Sequence, residues 1–331
     1  MKNRFLKLIG LTVASMLVPF CTSCNLQSNQ GKLNIIATIF PEYDWVNNVL
    51  GEKKETMNVS LLLDSGVDLH SYQPSPKDIV NIARCDLFIY VGGESDAWVE
   101  DALKQATNKN MVTINLLETL GDAAKKEEMI EGMQGEEEGH DHDHEHEHEE
   151  EEEEYDEHVW LSLKNAQLFV KTISDAIASL DQENANYYHA NADTYIANLK
   201  ALDTKYEQAV KAGTQKTLLF ADRFPFRYLV EDYSLNYYAA FIGCSAETEA
   251  SFETIKFLAN KVDELGLKVI LKIESSDGGI ANTVKNATKN KNQSILTLDS
   301  IQSATSKEYK NGRNYFSIME KNLDVLKEAV K

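Results

Sequence analysis

The chain has 331 residues, 43% of them hydrophobic and 26% charged; that is enough apolar material for a sizeable core divided over two domains, and it excludes a wholly disordered protein. The formal charge of −20 is concentrated in one place, because residues 136–154 hold thirteen of the 53 acidic residues and no Lys or Arg, leaving 40 acids against 33 bases elsewhere. That remainder is an ordinary soluble surface, and no basic cluster points to nucleic acid.

At the amino terminus Lys2, Arg4 and Lys7 precede the apolar run 8–20, which suits a secretory signal and is too short for a spanning helix. Thr22 and Ser23 then precede Cys24, a pattern that resembles a bacterial lipoprotein signal. The expectation is a signal peptide over 1–24, lipidation of Cys24, a polar tether over 25–32, and a body held outside the cytoplasm at a membrane surface. Cys85 and Cys244 remain; two cysteines so far apart in sequence do not make a disulfide framework.

From residue 33 onward, short β-branched or Leu-rich runs at 33–39, 58–63, 86–91 and 111–114 read as strands buried on both faces of a parallel sheet. Helical patterns opening at Pro41, after Ser75-Pro76 and near Ser95 lie between them, with proline at a helix start and the Gly92-Gly93 pair at a strand exit. The pattern recurs with strands at 217–221, 236–241, 268–273 and 294–298 and helices near 224–233, 247–265, 278–289 and 314–330. This predicts an α/β chain of two doubly wound parallel-sheet lobes, residues 33–180 and 213–331.

Between the lobes one amphipathic helix is expected over 164–180 and a second over 181–212, with Asp181 as its N-cap. In the second, Tyr188, Ala192, Tyr195, Leu199, Leu202, Tyr206 and Ala209 recur every three or four residues, a stripe suited to packing against both lobes. A linker helix of that length spans on the order of 40 Å.

The most unusual composition lies in the first lobe. His140, His142, His144, His146 and His148 alternate with Asp and Glu, and His158 follows where apolar residues resume. Imidazoles beside carboxylates in a low-complexity segment suit weak, exchangeable metal coordination. His70 sits in the turn-rich stretch LHSYQPSP beyond a strand, where open α/β sheets gather their ligands. Two neutral imidazoles suit zinc, with manganese, nickel or copper as alternatives. No HExxH run or nucleophile elbow supports a metallohydrolase, so the chain reads as a binder and not an enzyme.

The phrases TIFPEYDWV, DSGVDLHSYQPSPKDI, YDEHVWLSLKNA, GCSAETEAS and TLDSIQ, in that order, resemble the ZnuA-like zinc and manganese solute-binding proteins of ABC importers. The resemblance covers essentially the whole mature chain. It implies two lobes bridged by a long helix, one metal in the cleft between them, and delivery of Zn2+ (or Mn2+) by a monomer to a membrane permease; an adhesin or surface metal buffer is the alternative role. It implies His70 and His158 as ligands and Asp299 as the C-terminal acidic ligand. The chain departs from the pattern at Phe220-Ala221-Asp222-Arg223-Phe224, where relatives carry a His or Glu: Ala221 at the ligand position binds no metal. Asp222 is the nearest substitute, with Cys244, Glu247, Glu274, a water or a tract histidine as the other candidates.

Overall fold

The computed structural model describes residues 32–135, 154–245 and 249–331. Cys24, the tract histidines His140, His142, His144, His146 and His148, and Glu247 lie outside the described residues.

Each lobe is built on four parallel strands. In the first, β1 (Asn34–Ala37), β2 (Asn58–Leu61), β3 (Leu87–Tyr90) and β4 (Val112–Asn115) lie in the order β2-β1-β3-β4. In the second, β5 (Thr217–Phe224), β6 (Asn236–Ile242), β7 (Val269–Lys272) and β8 (Ser294–Thr297) lie in the order β6-β5-β7-β8. Parallel pairing requires crossovers, and the helices that supply them cover both faces. In the first lobe these are α1 (Phe40–Leu50), α2 (Pro76–Ile82), α3 (Trp98–Lys104) and α4 (Leu116–Leu120). Ser75 opens α2 as a capping box with Asp78, with Pro76 in the first turn, which satisfies amide groups that a helix start otherwise leaves open.

Two helices join the lobes. The first, α5 (Leu163–Leu180), is capped by Ser162 accepting from the Asn165 amide, and the second, α6 (Ala185–Ala212), is 28 residues long. Asp181 is not the N-cap of α6. It closes α5, and its carboxylate accepts from Asn184 Nδ2 (2.8 Å) and Tyr188 Oη (2.6 Å), so that the chain turns through a short 3-10 segment before α6 begins. The buried stripe on α6 runs through Tyr188, Ala192, Tyr195, Leu199, Leu202 and Tyr206 and finishes on Val210. Its tyrosines reach both lobes: Tyr195 donates to Asp44 on α1 (3.1 Å), and Tyr206 donates to the Met319 carbonyl (2.6 Å) on the last helix.

The second lobe adds α7 (Arg227–Asp232), α8 (Phe252–Leu265), α9 (Gly279–Ala287), α10 (Ser306–Lys310) and α11 (Tyr315–Ala329). Two boundaries differ from the sequence reading. Ser251 accepts from the Thr254 amide and starts α8 five residues late. Strand β5 runs on to Phe224, and its pairing with β6 shifts register between Phe220 and Arg223. Ala221 and Asp222 are therefore the bulge of a strand and not the loop after it, a device that re-aims side chains without ending the pairing.

Asp44 is fully buried, and burial raises its pKa to about 7 against help from Tyr195, the Tyr315 amide and Asn48. Its Oδ1 has no partner. Between the ordinary value of 3.8 and about 7 the folded state holds a proton that the unfolded chain releases, so this group costs stability as pH rises through that window. Asp44→Asn keeps the shape and removes the titration. It is expected to be more stable than the parent at pH 8 by on the order of 1–2 kcal/mol, with the difference vanishing near pH 4, as read by urea unfolding at the two pH values.

Candidate metal centre

His70 stands on a single 3-10 turn, Leu69–Ser71, beyond the carboxyl end of β2. The turn starts on Asp68, whose Oδ1 accepts from the His70 amide (3.1 Å). The ring Nδ1 meets Ser95 Oγ at 2.8 Å, in the segment that follows β3. Glu157 accepts from the Ser95 amide (2.8 Å) and thereby fixes the serine. Gly93 allows this approach: with φ at 80°, a Cβ there would sit 2.4 Å from Glu157 Oε1, so only glycine fits.

His158 comes from the same lobe, in the segment that leads into α5, and is completely buried. Asp156 Oδ1 accepts from its amide (2.8 Å) and meets its Nδ1 (3.1 Å). The ring packs on Trp160 at 5.2 Å between centroids. Trp160 in turn donates from Nε1 to the Ser300 carbonyl (2.9 Å), and its own carbonyl accepts from Tyr315 Oη (2.7 Å). The second lobe thus holds the loop that carries His158.

The two rings meet through their Nε2 atoms, 3.2 Å apart. Ser95 and Asp156 occupy the Nδ1 sides, which directs both Nε2 lone pairs at one point. Lone pairs so close repel unless a proton or a cation lies between them. Burial first, then His158 and Arg223, lower the His70 pKa to about 3 although Asp68 opposes them. At His158 burial also disfavours charge, but the Asp156 carboxylate and its hydrogen bond outweigh it and hold the imidazole above its ordinary range. His158 is thus the ring of the pair that takes up a proton first, and His70, held at about 3, is a neutral donor at physiological pH.

Asp222 and Asp299, expected as carboxylate ligands, are occupied elsewhere. Asp222 accepts from the amides of Arg223 (2.9 Å) and Ile273 (3.3 Å), stitching the bulge of β5 to the end of β7. Asp299 accepts from the Ile301 amide (2.9 Å) and from Arg313 Nη2 (2.8 Å). Glu274 is engaged by the amide (2.7 Å) and the hydroxyl of Ser300. Among the described residues, the three potential metal donors that come within 4.8 Å of one another are His70, His158 and Cys244.

A profile of the family described as zinc-uptake complex component A, periplasmic (ZnuA), matches residues 35–329. The chain belongs to the ZnuA family. This ZnuA-family chain is 33% identical over 333 residues to the high-affinity zinc uptake system protein ZnuA of Bacillus subtilis, covering 98% of each. It is 32% identical over 325 residues to the zinc-binding lipoprotein AdcA of Streptococcus pneumoniae serotype 4, covering 98% of this chain and 61% of that one. Against the zinc-binding protein AdcA of Streptococcus pyogenes serotype M6 it is 31% identical and covers 56% of that protein, so the chain spans little more than half the length of these streptococcal relatives.

Solved structures agree with the fold. The metal-dependent lipoprotein YcdH of Bacillus subtilis superposes with a TM-score of 0.71 at 29% identity, covering 90% of this chain and 99% of that one. The Zn(II)-bound ZnuA-like domain of Streptococcus pneumoniae AdcA gives 0.69 at 29% identity, covering 91% and 99%.

Two members of this ZnuA-family site carried no signal in the sequence. Ser95 reaches His70 across 25 residues, and the Gln302 side-chain amide lies 2.7 Å from His158 Nε2 across 144. Neither residue type announces metal chemistry, and only the fold brings them to the rings.

Proposed function

We propose that this chain is an extracytoplasmic zinc-binding protein that hands its metal to the membrane permease of an ABC importer, with His70 and His158 holding the ion through Nε2. The observation that carries the reading is the convergence of those two nitrogens at 3.2 Å, with each ring turned by a partner on its other nitrogen. Zinc is favoured over manganese because the nearby donors are imidazoles while Asp222 and Asp299 are engaged by amides and Arg313, and manganese prefers carboxylate and water oxygen. Zinc is the metal in the names of the curated relatives, one a zinc-binding lipoprotein and one a zinc uptake system protein, and it is bound in the AdcA domain structure. The protein binds and releases, as a monomer anchored through Cys24, and transforms no substrate.

Described segments on the two sides of the histidine-acid tract pair with each other. Glu127 donates its amide to the Glu154 carbonyl and Asp156 donates to the Lys125 carbonyl, both at 2.8 Å. Asp156 is also the partner of His158, so the segment that follows the tract leads into the centre. The tract collects zinc weakly while the centre binds it tightly. Removing residues 136–153 is expected to leave one tight zinc per molecule by calorimetry, with manganese bound far more weakly. Loss of the tight site, or manganese bound equally well, would overturn the reading. Unimpaired growth of a null strain under zinc limitation would overturn the transport role.

A further inference from the structure

Cys244 lies in the segment that follows β6, half-buried and outside any disulfide. We propose that its thiolate is the third donor to the zinc held by His70 and His158, giving the ion two nitrogens and one sulfur. This rests on the reading above and adds to it the ligand that the sequence left unassigned.

Three observations point to it. The sulfur and one nitrogen from each ring lie within 4.8 Å of one another. Bond lengths of about 2.0–2.1 Å to nitrogen and 2.3 Å to sulfur place tetrahedral donors roughly 3.5 Å apart, a spacing the two Nε2 atoms already match at 3.2 Å and the sulfur approaches from within 4.8 Å. Second, the backbone before Cys244 is fitted to His158. A Cβ on Gly243 would lie 2.9 Å from His158 Cε1 and 3.0 Å from the Phe224 carbonyl, so a side chain there would push the cysteine loop off the ring. Third, Glu127 is placed to take the proton that coordination displaces. It accepts from the Cys244 amide at 3.3 Å; burial first, and then the Glu127 charge, push the free thiol's pKa up, so the proton stays on sulfur until the metal displaces it. As the zinc–sulfur bond forms the S–H bond breaks, and the proton passes to the Glu127 carboxylate and on to solvent. Cys85, the other described cysteine, is buried beside Met111 and has no such setting.

A sulfur donor makes the site softer than one of nitrogen and oxygen, so cadmium binds well and manganese poorly. The test is cobalt(II) as a spectroscopic stand-in for zinc, together with zinc competition titrations. Wild-type protein loaded with cobalt is expected to show a near-ultraviolet sulfur-to-cobalt charge-transfer band. The band is expected to disappear in Cys244→Ser and to survive in Cys85→Ser, and zinc affinity is expected to fall at least tenfold in Cys244→Ser. If wild-type protein binds one tight zinc but shows no band, and Cys244→Ser binds zinc equally well, the thiolate is overturned while the histidine pair stands. If wild-type protein binds no zinc, both are overturned. The wild-type band needs no variant, so misfolding of Cys244→Ser does not blur the result.

Discussion

His158→Ala lowers zinc affinity by at least about a hundredfold, more than the ten- to hundredfold usual for losing an outer partner of a metal ligand. The ring is completely buried and supplies one of the two converging nitrogens. Truncation also opens a cavity beside Trp160, which costs stability in its own right; His158→Gln preserves most of the volume and separates the two effects. Competition titration against a chelating dye reads the affinity, and thermal melting of the metal-free protein checks the fold. Asp222→Ala and Asp299→Ala serve as controls with affinity close to the parent, since those carboxylates bind amides and Arg313. Retention of full affinity by His158→Ala would overturn the site.

The same geometry sets the sign of the pH dependence. A proton on His158 competes with zinc for that ring, so affinity is expected to fall as pH drops through its raised titration. His70, held down to about 3, adds nothing in that range.

Asp156→Asn is the second large effect, expected at about ten- to hundredfold loss of zinc affinity. Asp156 Oδ1 accepts from both the amide and the Nδ1 of His158, so it selects the tautomer that leaves Nε2 for the metal and makes that nitrogen more basic. An asparagine turned to present its carbonyl still orients the ring but removes the charge that holds the imidazole above its ordinary range. The variant is therefore expected to release fewer protons per zinc near neutral pH, which calorimetry in buffers of different ionisation enthalpy measures. A purely structural role for Asp156 would lower the melting temperature and leave the proton count unchanged.

The two-lobe architecture was legible because its signal is local and repeated. Strands such as Leu87–Tyr90 are apolar throughout, and the stripe on the linker helix recurs over about five turns from Tyr188 to Tyr206. His70 and His158 were singled out because each stands in a phrase that resembles the family, and the fold brings their Nε2 atoms to 3.2 Å. The surroundings of the carboxylates were not legible: an Asp at a strand end serves equally to bind metal or to satisfy backbone amides, and the bulge between Phe220 and Arg223 and the Asp299–Arg313 ion pair appear only in the fold. Asp181 misled for the same reason, since one side chain suits the end of a helix as well as the start of the next. The approach of Cys244 depends on Gly243 lying against a ring from the other lobe, a contact with no periodicity to reveal it.

The most direct measurement is an anomalous difference map recorded at the zinc absorption edge from crystals of protein carrying one zinc. The predicted result is a single strong peak between His70 and His158, about 2.0–2.1 Å from each Nε2. A strongest peak elsewhere, bound by Asp222 or Asp299 with either histidine left unbonded, would contradict the assignment.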